Sequence, residues 1–126
     1  HDFVISDADG YELQDDILAE EAYVLLVVFY DIEKANASAM KKVNKFVEDA
    51  ENDGIYVYGL TASSYDQVED FKLENQVPIT FYSADETMLK TTVRSNPGII
   101  LLKKGTVIGK WHYNDLPEFL ELKKSL

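Results

Sequence analysis

The residues of this chain able to act on a ligand are few: Lys34, Asn36, Ser63, Arg94 and Asn96, with Pro97 following the last of them. Lys34 and Arg94 are charged to hold a carboxylate or a phosphate. Lys34 is expected at the start of a helix, where backbone N–H groups already favour anions. The blander reading is a solvated charge, with Asp31 and Glu33 beside it as compensation. Thiol chemistry is excluded, because there is no cysteine to serve as thiolate nucleophile or resolving thiol. Asp7-Ala8-Asp9-Gly10 superficially matches a calcium loop. Tyr11 and Leu18 stand where further oxygen ligands are required, so the segment reads as a turn. His112 is the one histidine besides His1 and has no cysteine or second internal histidine with which to build a metal site, so it reads as structural. Neither a Ser-His-Asp pattern nor a glycine-rich phosphate loop is present. No cofactor and no metal are expected.

Those side chains need a scaffold, and 126 residues suit a single domain with its own core. Hydrophobic residues make up 46% and charged residues 28%, the balance of a globular chain. The net charge of −11 argues against nucleic acid and anionic membrane surfaces, which reward basic stripes. Its simplest role is solubility. The longest apolar run, Tyr23 to Tyr30, is far shorter than the ~20 residues of a membrane helix. The chain opens on His1 and shows no signal peptide. It therefore reads as a domain excised from a larger protein, with His1 set aside as an expression remnant.

The pattern predicts a hairpin from Phe3–Asp7 and Tyr11–Leu13 around the Asp7–Gly10 turn, then a short helical turn capped by Asp15 or Asp16. Tyr23–Tyr30, apolar on both faces, reads as a central strand. Met40, Val43, Phe46, Val47 and Ala50 form the inner stripe of a helix over Asn36–Asn52, stopped at Gly54. Ile55–Leu60 is the next strand, and Ser63 or Ser64 caps a helix carrying Val68 and Phe71. Val77–Tyr82 is extended, and Ala84–Val93 is helical. Gly98–Lys103 and Thr106–Trp111 pair through Lys104-Gly105. Asn114 or Asp115 caps a last helix with Phe119, Leu120 and Leu122 inward and Pro117 in its first turn. Trp111, Phe81 and the tyrosines are assigned to packing. Strand–helix–strand units with a closing hairpin give a three-layer α/β/α sandwich. Ligands bind such sheets beyond the carboxyl ends of the strands, where three loops meet: Asp31–Asn36, Thr61–Ser63 and Arg94–Pro97.

This order resembles the thioredoxin superfamily, in particular its TlpA-like and peroxiredoxin-like branch. Phe3-x-x-x-Asp7-x-Asp9-Gly10 with Leu13 and Leu18 is similar to the extra N-terminal hairpin of that branch. Val27-Val28-Phe29-Tyr30 matches the strand that leads to the redox site, and Ser95-Asn96-Pro97-Gly98 through Gly105 matches the cis-proline segment and its hairpin. The resemblance implies a cis Pro97. Leu89-Lys90-Thr91, Arg94–Gly98 and Gly105–His112 also resemble the cysteine-free thioredoxin-like domain that follows a DoxX-type membrane domain in Bacteroidetes proteins. That likeness implies an extracytoplasmic (periplasmic) setting in the cell envelope, with membrane attachment only through a missing part of the parent chain.

Three departures accompany the resemblance. The family spacing places the two cysteine positions at Lys34 and Ala37, the buried acid of the family is Val28, and the residue before the proline is Asn96 rather than β-branched. Together they imply that dithiol chemistry has been abandoned. The expected function is a redox-inactive binding or protein-interaction module for a protein, a peptide or a small anionic ligand, with an extended peptide docking at the Pro97 loop by strand addition. The alternative is a ligand-binding or enzymatic domain working on a small anion through Lys34, Arg94 and Asn96. A purely structural domain with a decayed site is the third reading.

Overall fold

A computed structural model describes residues 3–126, so His1 lies outside the described residues. The elements are β1 (Ile5–Ser6), α1 (Gln14–Ala19), β2 (Tyr23–Phe29), α2 (Met40–Asn52), β3 (Tyr56–Thr61), α3 (Tyr65–Asn75), β4 (Phe81–Ala84), α4 (Glu86–Thr92), β5 (Gly98–Lys103), β6 (Thr106–His112) and α5 (Phe119–Lys123). The strands form one mixed sheet in the order β1-β4-β3-β2-β5-β6. Strands β2, β3 and β4 run parallel, whereas β1, β5 and β6 are antiparallel to their neighbours.

The apolar run of β2 places it at the middle, as its burial on both faces requires. Leu25, Val27 and Phe29 point into one core with Val43, Phe46 and Val47 of α2, Phe71 of α3 and Phe119 of α5. Val24, Leu26 and Val28 point into the opposite core with Ile17 of α1 and Leu89 of α4. Helices on both faces complete the α/β/α sandwich. Val28 is fully buried among aliphatic side chains, so the position has no proton to relay.

Several boundaries differ from the sequence reading. The N-terminal hairpin narrows to a bridge between Ser6 and Glu12, and β1 finds its main partner in β4. Its turn is closed by the Asp7 carboxylate, which accepts from the Asp9 and Tyr11 N–H groups at 2.9 Å. That carboxylate oxygen therefore serves the turn, as a short polar side chain does in an Asx turn. Asp15 and Asp16 lie inside the first turn of α1 rather than capping it. Asp85 caps α4. Neither Asn114 nor Asp115 caps α5. They belong to a 3₁₀ turn, Tyr113–Asp115, capped by the His112 imidazole accepting from the Asn114 N–H at 3.0 Å. In so short a helix Phe119 fills the inner side, so Leu120, expected inward, is 60% exposed. The β5–β6 turn has positive φ at Lys104 and Gly105 (54° and 76°), as a tight two-residue hairpin turn requires.

Candidate functional site

At the carboxyl end of β2 the chain makes two 3₁₀ turns before α2 begins. In the first, Ile32–Lys34, the Asp31 carboxylate accepts from the Glu33 N–H at 3.1 Å. In the second, Ala37–Ala39, the Asn36 side-chain oxygen accepts from the Ala39 N–H at 3.2 Å. Lys34 therefore does not begin an α-helix, which corrects the sequence reading. The N–H groups of Lys34 and Ala35 donate to Asp31 O and Ile32 O, so they are engaged in the turn itself. The physical reason is local: Asp31 and Asn36 each offer the backbone a side-chain acceptor, which favours short turns over a continuous helix.

The second loop carries Thr61, Ala62 and Ser63 as expected. Ser63 Oγ accepts from the Ile32 N–H at 2.9 Å, while the Ser63 N–H donates to Thr61 Oγ1 at 3.1 Å. Ser64, not Ser63, caps α3, in a reciprocal pair with Gln67.

The third loop holds the Asn96–Pro97 peptide bond, which is cis. Asn96 is only 7% exposed. Its Nδ2 donates to Asp31 O at 2.7 Å, and its own carbonyl accepts from the Asn36 N–H at 2.8 Å. The Ser95 hydroxyl donates to Pro97 O at 2.7 Å. Asn36 Nδ2 in turn donates to the Tyr113 hydroxyl at 2.7 Å. Asn36 and Asn96 thus meet directly, Ser63 joins the first loop at Ile32, and Pro97 is held by Ser95 within its own loop, so that these polar groups tie the three loops to one another.

The basic residues behave differently. Lys34 and Arg94 are exposed, and neither forms an ion pair among the described residues. Nearby, Lys90 pairs with Glu86 at 3.0 Å and lies 5.7 Å from the Tyr30 ring centre. The Glu86 hydrogen bond holds the Lys90 ammonium above its usual range. A surface hollow of about 400 Å³ adjoins the first turn, between Ile32–Ala37 and α3, and its charged rim is Glu33, Asp70 and Glu74. A larger groove of about 1050 Å³ follows α2 to Pro117–Leu120. Neither Lys34 nor Arg94 lines either hollow.

Sequence reasoning named the three loops but missed Tyr113 and the Asp31 carbonyl. The Asn36–Tyr113 bond joins residues 77 apart, and a main-chain acceptor carries no side-chain signature. Asn96 Oδ1 is buried without a partner among the described residues. Chemically, the arrangement has no thiol, and no cluster of metal-ligating side chains is present among the described residues. It supplies a shaped, internally bonded surface, with Lys34 and Arg94 in its loops exposed and outside any ion pair among the described residues.

No family model matches the chain, and no curated protein does. Solved structures do match. A thiol-disulfide oxidoreductase from Bacteroides fragilis is 15% identical with a TM-score of 0.71, the match covering 99% of this chain and 98% of that one. The thioredoxin domain of a thiol-disulfide oxidoreductase from Bacteroides vulgatus is 15% identical, with coverage of 98% and 91% and a TM-score of 0.67. A peroxiredoxin Q from Xanthomonas campestris is 11% identical, with coverage of 98% and 89% and a TM-score of 0.60. At these identities the likeness is one of architecture: the chain has a thioredoxin-like fold, and it carries no cysteine.

Proposed function

We propose that this domain is a redox-inactive interaction module, in which the surface around the Asn96–Pro97 loop meets a protein or peptide partner. The observation that carries this reading is the closure of the vacated site by its own hydrogen bonds: Asn96 to Asp31, Asn36 to Asn96, and Ile32 to Ser63. The adjoining hollow has an acidic rim, which repels the anion that Lys34 and Arg94 would otherwise attract. Asn36, Ser63 and Asn96 hold the loops in shape around the buried Pro97, while the exposed Lys34 and Arg94 border the contact face. In the finer form of this reading, the domain is the extracytoplasmic part of a DoxX-type membrane protein in the cell envelope. The matching strings Leu89–Thr91, Arg94–Gly98 and Gly105–His112 support that placement. No helix among the described residues is long and apolar enough to cross a membrane, so attachment falls to another segment of the parent.

Insulin reduction by dithiothreitol should proceed at the uncatalysed rate in the presence of the domain; clear acceleration would refute redox inactivity. Titration of the ¹⁵N-labelled domain separates partner classes. Peptide-induced shifts at residues 31–37 and 94–97 support the module, whereas saturable phosphate-induced shifts at Lys34 and Arg94, with none from peptides, return the small-anion alternative. Protease accessibility of the parent protein in spheroplasts tests the envelope placement, which a cytosolic location overturns.

A further inference from the structure

Strand β6 is the long free edge of the sheet. The other edge, β1, is two residues long, whereas β6 spans seven and, among the described residues, pairs only with β5. A bare edge strand presents a row of unpaired N–H and C=O groups. Val107 and Ile108 on this strand are 54% and 45% exposed. The ladder shifts register opposite Leu101 and Leu102, so Ile108 is the extra residue of a bulge and Gly109–His112 continue regularly to the Pro97 loop.

The segment that forms this edge is basic in an acidic chain, with the Glu20 carbonyl beside it accepting from the Lys104 N–H at 3.0 Å. The sequence from Arg94 to Asn114 contains no Asp or Glu but holds Arg94, Lys103, Lys104 and Lys110, in a chain of net charge −11. Two of these cations are engaged locally: Lys103 lies over the Tyr23 ring, and Lys110 donates to Thr92 O at 2.7 Å. The Lys110 bond also draws the segment before Arg94 alongside β6.

From this juxtaposition we infer that β6 accepts an extended segment of a partner protein, bearing Asp or Glu alternating with apolar residues, as a seventh strand. The added backbone pairs with the free edge, the apolar side chains cover Val107 and Ile108, and the acids meet Lys104 and Arg94. A second copy of this chain is the poorer occupant, because it would set two basic, acid-free strands side by side. The bulge and Lys110 are also the devices by which edges avoid indiscriminate pairing, and an acidic partner is the one they admit. The inference rests on the interaction-module reading and gives its partner a chemistry.

The test is fluorescence anisotropy with the labelled peptide Glu-Val-Glu-Ile-Glu-Val-Glu and its counterpart with Lys for Glu. The acidic peptide should bind, the basic one at least about tenfold more weakly, and added salt should lower the affinity of the first. Val107→Glu and Ile108→Pro should each weaken binding by about tenfold or more, while Lys41→Glu on the exposed side of α2 leaves it unchanged. Ile108→Pro alters the bulge, so thermal unfolding is recorded for each variant, and Val107→Glu with Lys104→Glu carries the test should the proline variant not fold. Equal binding of both peptides, or binding of neither, overturns the inference. Binding lost in Lys34→Glu but kept in Val107→Glu overturns the edge and leaves the module reading standing. A dimer in light scattering that Ile108→Pro dissociates also overturns it, since a second copy would then occupy the strand.

Discussion

The two flanks of β5 handle backbone polarity in opposite ways. At its start, the three loops turn their polar groups toward one another: Asp31 O accepts from Asn96, Asn96 O from Asn36 and Ser63 Oγ from Ile32, while Pro97 O is bonded within its own loop by Ser95. Along its side, β6 faces away from the molecule with no strand beyond it. In the first region the chain closes these groups off against itself. The second is open. The Pro97 loop is thus a shaped surface tied within the chain, with Asn96 Oδ1 left as its one buried unpartnered side-chain atom among the described residues, while a row of unpaired backbone groups lies along the β6 edge.

The sharpest way to break this contrast is Asn96→Asp. The substitution removes the donor to Asp31 O and places a carboxylate against a carbonyl in a 7%-exposed position. It should cost about 3 kcal/mol near neutral pH, read by urea unfolding. Burial raises the folded-state pKa of the new carboxyl above its unfolded value. Stability is therefore retained at low pH, where the acid can donate to Asp31 O, and is lost as pH rises through the folded pKa. A pH-independent loss would mean that the loop reopens to water. Ser63→Ala should cost about 1 kcal/mol by stripping the Ile32 N–H of its acceptor; an unchanged midpoint would show that this bond is dispensable. At the open flank, Val107→Lys should alter stability by no more than about 0.5 kcal/mol, because the side chain already faces solvent. A larger loss there would show that β6 packs against something within the chain, and the contrast would fail.

Much of the architecture was readable because burial on two faces writes itself into β2 as an unbroken apolar run, and one-sided burial writes itself into α2 as a stripe from Met40 to Ala50. The β5–β6 hairpin announced itself through Lys104-Gly105. The ends of elements were less legible. Asn36 looked like the first residue of a long helix, yet its side chain caps a separate 3₁₀ turn, which leaves Lys34 off any α-helix. Leu120 fitted an inward stripe that so short a helix does not need. The candidate site was readable as three loops but not as a network. Its bonds run from side chains to distant main-chain atoms, and no spacing encodes a carbonyl.

Trp111 gives the open flank an optical consequence. It is the sole tryptophan of the chain, it sits on β6, and its ring lies so close over Gly109 that a Cβ there would stand 2.3 Å from it. On its other side the ring centre is 6.4 Å from that of Phe46, at the border between core and solvent. Indole emission from this one position therefore reports on the edge strand without any label: a strand arriving beside Gly109 displaces water from the indole's surroundings, whereas events confined to the turn at Lys34 leave the emission spectrum where it was.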